Sequence, residues 1–213
     1  MMLLMNRLIS FVGFKASGKN TAAQILVDHY DFVPLSFADA IKDCLAAIFC
    51  WPRELLEGVT PASRLWRETV DSWWAVRLEI ADFTPRWAMM HFGTEIMRRH
   101  FNSQIWVANV ERRIELVGDR PVVLLDGRFP NELALVRRRR GRVARIQRGA
   151  DPDWMTNTDA ATARHRARGA GVHESEYAWI GSTVDATLIN DGSIAALQAG
   201  VLDWLGLTQP AFV

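Results

Sequence analysis

The chain has 213 residues, 49% hydrophobic and 23% charged, which is enough apolar material for a packed core and excludes a largely disordered chain. Its 25 basic residues nearly balance 24 acidic ones, for a formal net charge of +1. A dedicated nucleic-acid-binding domain usually carries a clear basic excess, so this balance argues against one. Cys44 and Cys50 are the only cysteines and show no metal-ligand spacing; they read as small core residues in a reducing, cytoplasmic compartment. No apolar run is long enough to span a membrane. Met1 to Met5 is too short for a signal-peptide core and reads as the lead-in to a first buried strand.

In chain order, Leu8 to Val12 is a short apolar strand ending in a glycine-rich turn, and Thr21 to His29 follows as a helix. Phe32 to Phe37 is a second strand, leading into a helix with Ile41, Leu45, Ile48 and Phe49 at helical spacing. The Trp-, Arg- and Glu-rich stretch from Trp51 to Phe83 reads as helical with loops. Arg86 to Val117 forms one or two helices broken near Asn102. Pro121 to Asp126 is the clearest strand, an unalternating apolar run that suits a parallel strand buried on both faces. Asn131 to Arg140 is a helix stopped by Gly141, read as a left-handed C-terminal residue. Arg142 to Gln147 is a strand. Residues 149–175 lack apolar periodicity and read as a long loop or mobile lid. Thr183 to Ile189 is a last strand, and Ser193 to Leu205 a closing helix. Strands alternating with helices predict a parallel α/β sheet wrapped by helices. With no repeat and no linker, residues 1–213 read as a single domain.

The turn Gly13-Phe14-Lys15-Ala16-Ser17-Gly18-Lys19-Asn20-Thr21 follows a strand and opens a helix with the spacing of a Walker A loop, except that Asn20 replaces the usual hydroxyl residue. Glycines let successive N–H groups point at one phosphate, and the helix N-terminus adds its positive end. Lys19 supplies charge to the β- and γ-phosphates of ATP. Mg²⁺ falls to the Asn20 amide oxygen through water or to Thr21, with Asp126, at the end of the buried strand, as the partner acid. Transfer between two anions also needs cations on the acceptor side. Lys42, Arg86, Arg128 and Arg148 are candidates near element ends. The Arg137 to Arg140 run, with Arg142, reads as a solvated basic helix end.

These residues resemble the bacteriophage-type deoxynucleoside monophosphate kinases, whose phosphate loop also tends to lack Ser or Thr after the lysine. The likeness continues through Phe37-Ala38-Asp39-Ala40-Ile41-Lys42-Asp43, through Arg86, Gly93-Thr94-Glu95, Arg98 and Trp106-Val107, and through Asp126-Gly127-Arg128 with Glu132. It ends with His173-Glu174-Ser175-Glu176 and Ile189-Asn190-Asp191-Gly192-Ser193, so it spans nearly the whole chain. The resemblance implies a P-loop NTPase three-layer sandwich of the adenylate-kinase kind, with a five-stranded parallel sheet. It implies a helical acceptor-binding insertion at about 50–117 and a lid at about 149–175. It implies transfer of the γ-phosphoryl group of ATP to a deoxynucleoside monophosphate with Mg²⁺. Gly13, Ala16, Ser17, Gly18, Lys19, Asn20 and Thr21 would then hold ATP and the metal. Lys15, Asp39, Lys42, Arg86, Gly93, Thr94, Trp106, Arg128 and Glu132 would line the acceptor site. The transition-state cation would be one of the lid arginines Arg148, Arg164, Arg166 and Arg168. Lys19, Asp126 and Arg128 form the catalytic set. Met90 stands where relatives often carry Gln, so no base preference transfers. The family allows a homodimer and, for a phage-encoded member, the host cytoplasm.

Other acceptors stay open, because P-loop kinases of dephospho-coenzyme A or phosphomevalonate share the loop and the fold. A nucleic-acid-binding P-loop ATPase would use the Arg137 to Arg142 cluster. The charge balance speaks against it, and against any nucleic-acid partner.

Overall fold

The computed structural model describes residues 7–207; the expected lead-in at Met1 to Met5 lies outside them. The chain forms two compact units: the described parts of Met1–Ser36 with Val110–Val213, and Phe37–Asn109.

The first unit is built on five parallel strands in the order β2-β3-β1-β4-β5, namely β1 (Leu8–Val12), β2 (Val33–Leu35), β3 (Val122–Leu124), β4 (Arg142–Gln147) and β5 (Ala186–Ile189). Strand β1 lies at the centre, with Ser10 opposite Leu124 on one side and Val143 on the other. All five of its residues are buried, as a central parallel strand requires. Alternation along β1 divides the layers. Ile9 and Phe11 pack with Ala23 and Leu26 of α1 (Lys19–Tyr30) and with Val201 and Leu202 of α10 (Ile194–Leu205). Ser10 and Val12 face the other way. There α7 (Pro130–Arg138) and the preceding turn approach so closely that a Cβ on Gly127 would lie 2.7 Å from Ser10 Oγ and 3.1 Å from Leu133. Helices on both faces of one parallel sheet make the three layers of a P-loop NTPase fold.

Three expectations need correcting. Residues 149–175 are not one loop: they hold a 3₁₀ turn at Asp153–Met155 and helix α8 (Ala160–Gly169), followed by α9 (Glu174–Tyr177). The Asp159 carboxylate caps α8 by accepting from Ala161 and Thr162 N–H groups, and only Ala163 and Ala167 are buried on it. A face of two alanines is too weak a pattern to register as amphipathic. Gly141 is not the left-handed residue; Arg140 takes that role with φ 57°. Glycine is needed at 141 because a Cβ would sit 2.5 Å from the Leu8 carbonyl and 2.7 Å from Val136. Both cysteines are exposed rather than in the core: Cys44 lies on the solvent side of α2 (Asp39–Phe49), and Cys50 caps that helix with φ 54°.

The second unit is helical. After α2 come α3 (Pro61–Glu68), α4 (Ser72–Leu78) and α5 (Pro85–Met90), then a π-helical stretch His91–Phe101 and the start of α6 (Ile105–Val117), with the break at Asn102. Thr60 and Thr84 cap helices whose first residue is proline, pre-set for helical φ. The core gathers Leu45, Leu56, Trp51 and Phe83. Aromatic rings meet edge to face, as Phe49 does with Trp74 and Phe83. Trp51 Nε1 donates to Asp71 at 2.7 Å, and Asp71 also caps α4. Ile48, expected on the apolar stripe of α2, is 51% exposed.

Candidate functional site

The glycine loop connects β1 to α1, and its backbone can be traced to its sequence. Gly13 (φ 140°) passes so close to β4 that a Cβ would lie 2.3 Å from the Ile146 carbonyl. Gly18 (φ 102°) is the residue before α1, and a Cβ there would meet Asn190 Nδ2 at 2.2 Å. Ala16 also takes positive φ. The Asn190 amide donates to the Ser17 carbonyl at 2.8 Å, fastening the loop from beyond β5. Asn190 was legible only as part of a C-terminal phrase, since its role depends on a contact 173 positions away.

Lys19 turns back over the loop and donates to the carbonyls of Gly13 (2.8 Å) and Phe14 (2.7 Å). Burial, and then the nearby Arg128 guanidinium, bring its pKa down to about 8, while Glu176 and Asp126 oppose that shift. Three charged groups named from the sequence (Lys19, Asp126 and Arg128) therefore act on one another within the first unit.

Asp126 stands just past β3 and accepts from Ser36 Oγ at 2.7 Å. Arg128, two residues on, donates to Glu176 at 2.7 Å and to the Ser175 carbonyl at 3.2 Å. Burial works against its charge, but Glu176, with Asp126 and Glu132, outweighs that and holds the guanidinium above its ordinary pKa. Glu132 is 2% exposed and accepts from the Arg128 and Phe129 N–H groups at 2.7 and 3.0 Å. It thus holds the turn carrying Arg128 at the N-terminus of α7, where a carboxylate suits the dipole.

A cleft of about 320 Å³ opens beside the loop, lined among others by Phe14, Lys15, Ser17, Gln147, Arg148 and Asp151. Of the four arginines expected in the lid, Arg148 is the one on this cleft. Arg164 donates to the Ile180 carbonyl at 3.3 Å, and Arg166 and Arg168 are exposed on α8. Asn20 is exposed on the first turn of α1, and Thr21 is half-buried.

In the second unit, Lys42 is 9% exposed and ion-paired with Glu57 at 2.6 Å and Asp39 at 3.8 Å. Arg53, unremarked in the sequence, joins Asp43 and Glu57 in the same network. Arg86 lies 4.0 Å from Glu68. Gly93 packs on Ile41, leaving 2.8 Å for a Cβ, and its carbonyl accepts from Trp106 Nε1 at 2.9 Å. Thr94 is buried. The Trp106 indole N–H and the Gly93 carbonyl thus tie the two residues to each other. The basic run of α7 is not a free patch: Arg137 pairs with Asp185, and Arg138 and Arg139 with Glu111.

Strand order, loop geometry and the position of Lys19 define the protein class as a P-loop nucleotide-binding fold. No family model matches the chain. A putative deoxynucleotide monophosphate kinase of Acanthamoeba polyphaga mimivirus is 28% identical over 158 residues, covering 66% of this chain and 74% of the relative. The chain is therefore similar to a protein of the kind that its motifs resemble. Among solved structures, a dephospho-CoA kinase from Campylobacter jejuni aligns over 95% of this chain and 97% of its own, at 14% identity and TM-score 0.48. A sugar kinase from Janibacter aligns over 95% of each chain, at 15% identity and TM-score 0.40. Likenesses this distant say nothing about the acceptor.

Proposed function

We propose that the chain is an ATP-dependent phosphotransferase acting on deoxynucleoside monophosphates. The observation that carries this reading is the glycine loop with Lys19 held over it, a lysine on which the charges of Arg128 and Asp126 act. The mimivirus relative's name supports the choice of acceptor. In the reaction an acceptor phosphate oxygen attacks the γ-phosphorus of ATP, the bond to the β-phosphate oxygen breaks, and ADP leaves. A 5′-phosphate is already ionised at neutral pH, so no general base is required, and the protein's work is positioning and charge stabilisation.

The loop N–H groups receive the donor phosphates. Lys19, held over the loop by two carbonyls, has its third ammonium hydrogen left to give to the phosphate oxygens. Arg128, held by Glu176, serves the acceptor phosphate, and Arg148, at the cleft, is the transition-state cation. The further acceptor-side residues, Lys15, Asp39, Lys42, Arg86, Gly93, Thr94, Trp106 and Glu132, are proposed on the resemblance alone. The donor set suits Mg²⁺, a hard cation that takes one or two carboxylates and completes its shell with phosphates and water. Asp126, Asn20 and Thr21 would hold it; among the described residues no group of three or more Asp, Glu, His or Cys is placed to hold a metal ion by protein ligands alone. When bound, Mg²⁺ neutralises charge on the phosphates. Lys19→Ala tests the reading: ADP release dependent on a deoxynucleoside monophosphate should vanish while the circular-dichroism spectrum stays that of the wild type. Near-normal turnover in that variant would reject it.

A further inference from the structure

The second residue of the glycine loop needs no particular side chain for phosphate binding, which is done by backbone N–H groups. In this chain it is Phe14, and the ring has an unusual set of neighbours. Trp154, from the 3₁₀ turn of the lid segment, meets it edge-on at 5.5 Å. Trp179, just after α9, meets it at 5.3 Å. The Arg145 guanidinium lies 5.3 Å from the Trp179 ring and 5.8 Å from Phe14, and it is ion-paired with Asp151 at the start of the lid. The start of the lid segment and the stretch just beyond it therefore converge on one loop side chain. The carbonyl of that same residue is 2.7 Å from Lys19 Nζ.

We infer that Phe14 is a positioning residue: the lid seats on its ring, and its carbonyl sets where the Lys19 ammonium stands. This rests on the phosphate-loop reading proposed above. A lid lifted from Phe14 removes Trp154 and loosens the first half of the loop, and with it the carbonyl that locates Lys19. Seating the lid restores the ammonium to one place. Trp179 ties the acceptor side in as well. Its Nε1 donates to the Glu176 carbonyl at 3.1 Å, and the Glu176 carboxylate holds Arg128. A displacement at Phe14 therefore reaches both Lys19 and the segment that carries the partner of Arg128. A small displacement leaves the Lys19 charge facing the phosphates, so ground-state binding changes little, whereas turnover depends on the exact placement of that charge.

The experiment measures Mg-ATP affinity by calorimetry and steady-state turnover with the preferred acceptor, in wild type, Trp154→Ala, Trp154→Phe, Phe14→Leu and the double variant Phe14→Leu/Trp154→Ala. Misplacing a catalytic group by a fraction of an ångström should lower kcat about tenfold in Trp154→Ala, with Mg-ATP affinity within about threefold of wild type. Trp154→Phe keeps an aromatic edge on the Phe14 ring and should recover most of kcat. The double variant should be no slower than the worse single one, because the two residues act through one contact. A kcat near that of wild type in Trp154→Ala, a parallel loss of kcat and affinity, or additive losses in the double variant would each overturn the inference. Wild-type protein that does not bind Mg-ATP would instead remove the phosphate-loop reading, and this inference with it.

Discussion

Nucleotide binding should be coupled to proton uptake at one identifiable lysine. In the free protein Lys19 is desolvated and faces Arg128, and its pKa stands at about 8 rather than the ordinary 10.5. The polyphosphate of ATP brings negative charge to the ammonium and should restore its pKa toward the ordinary value. The sign follows from linkage: the bound state holds the proton more tightly, so binding takes up protons wherever the free lysine is partly neutral. That fraction is about a half at pH 8 and about a tenth at pH 7. The terminal phosphate of Mg-ATP is itself already ionised at pH 8 and is not the acceptor. Calorimetry at pH 8 in two buffers of different ionisation enthalpy should therefore report uptake of about half a proton, falling toward zero by about pH 6.5. Affinity should be flat below pH 8 and weaken roughly tenfold per unit above it. Buffer-independent heats at pH 8 would refute the desolvated, Arg128-facing environment of Lys19.

Arg128→Ala should raise KM for the monophosphate by about ten- to a hundredfold while KM for ATP moves less than about threefold, since a charge-assisted contact is lost on the acceptor side alone. Steady-state kinetics varying each substrate would contradict this if only the ATP constant moved. Glu132→Ala should cost about 2 kcal/mol of stability, because two buried N–H groups lose their shared acceptor. Urea unfolding checks it, and an unchanged midpoint with a raised monophosphate KM would instead make Glu132 a substrate contact. Asn190→Ala should weaken Mg-ATP binding about tenfold by releasing the Ser17 carbonyl. Gly18→Ala should be worse, since its backbone is left-handed and its Cβ would collide with the Asn190 amide.

What could be read in the sequence is what local chemistry dictates. The unalternating run at Val122 to Leu124 is buried throughout, and the glycine loop lies between a central strand and a helix as its spacing required. Asp126 and Arg128 stand where the end of a buried strand put them. How these groups are held in place was not legible, although Glu176 and Asn190 stand in phrases of the resemblance. Glu176, Asn190 and Ser36 reach these groups across 48, 173 and 90 positions, respectively. Helix α8 went unseen because alanines bury too little area to leave a stripe. The cysteines misled because a residue type that is usually buried carries no information about which face of α2 it occupies.

The most direct test of the account is ADP release from Mg-ATP across a panel of acceptors: the four common deoxynucleoside monophosphates, AMP and GMP, dephospho-coenzyme A, phosphomevalonate, and duplex or single-stranded DNA. The account predicts turnover with at least one deoxynucleoside monophosphate and none stimulated by DNA. Turnover confined to another acceptor, or ATP hydrolysis driven by DNA, would contradict it.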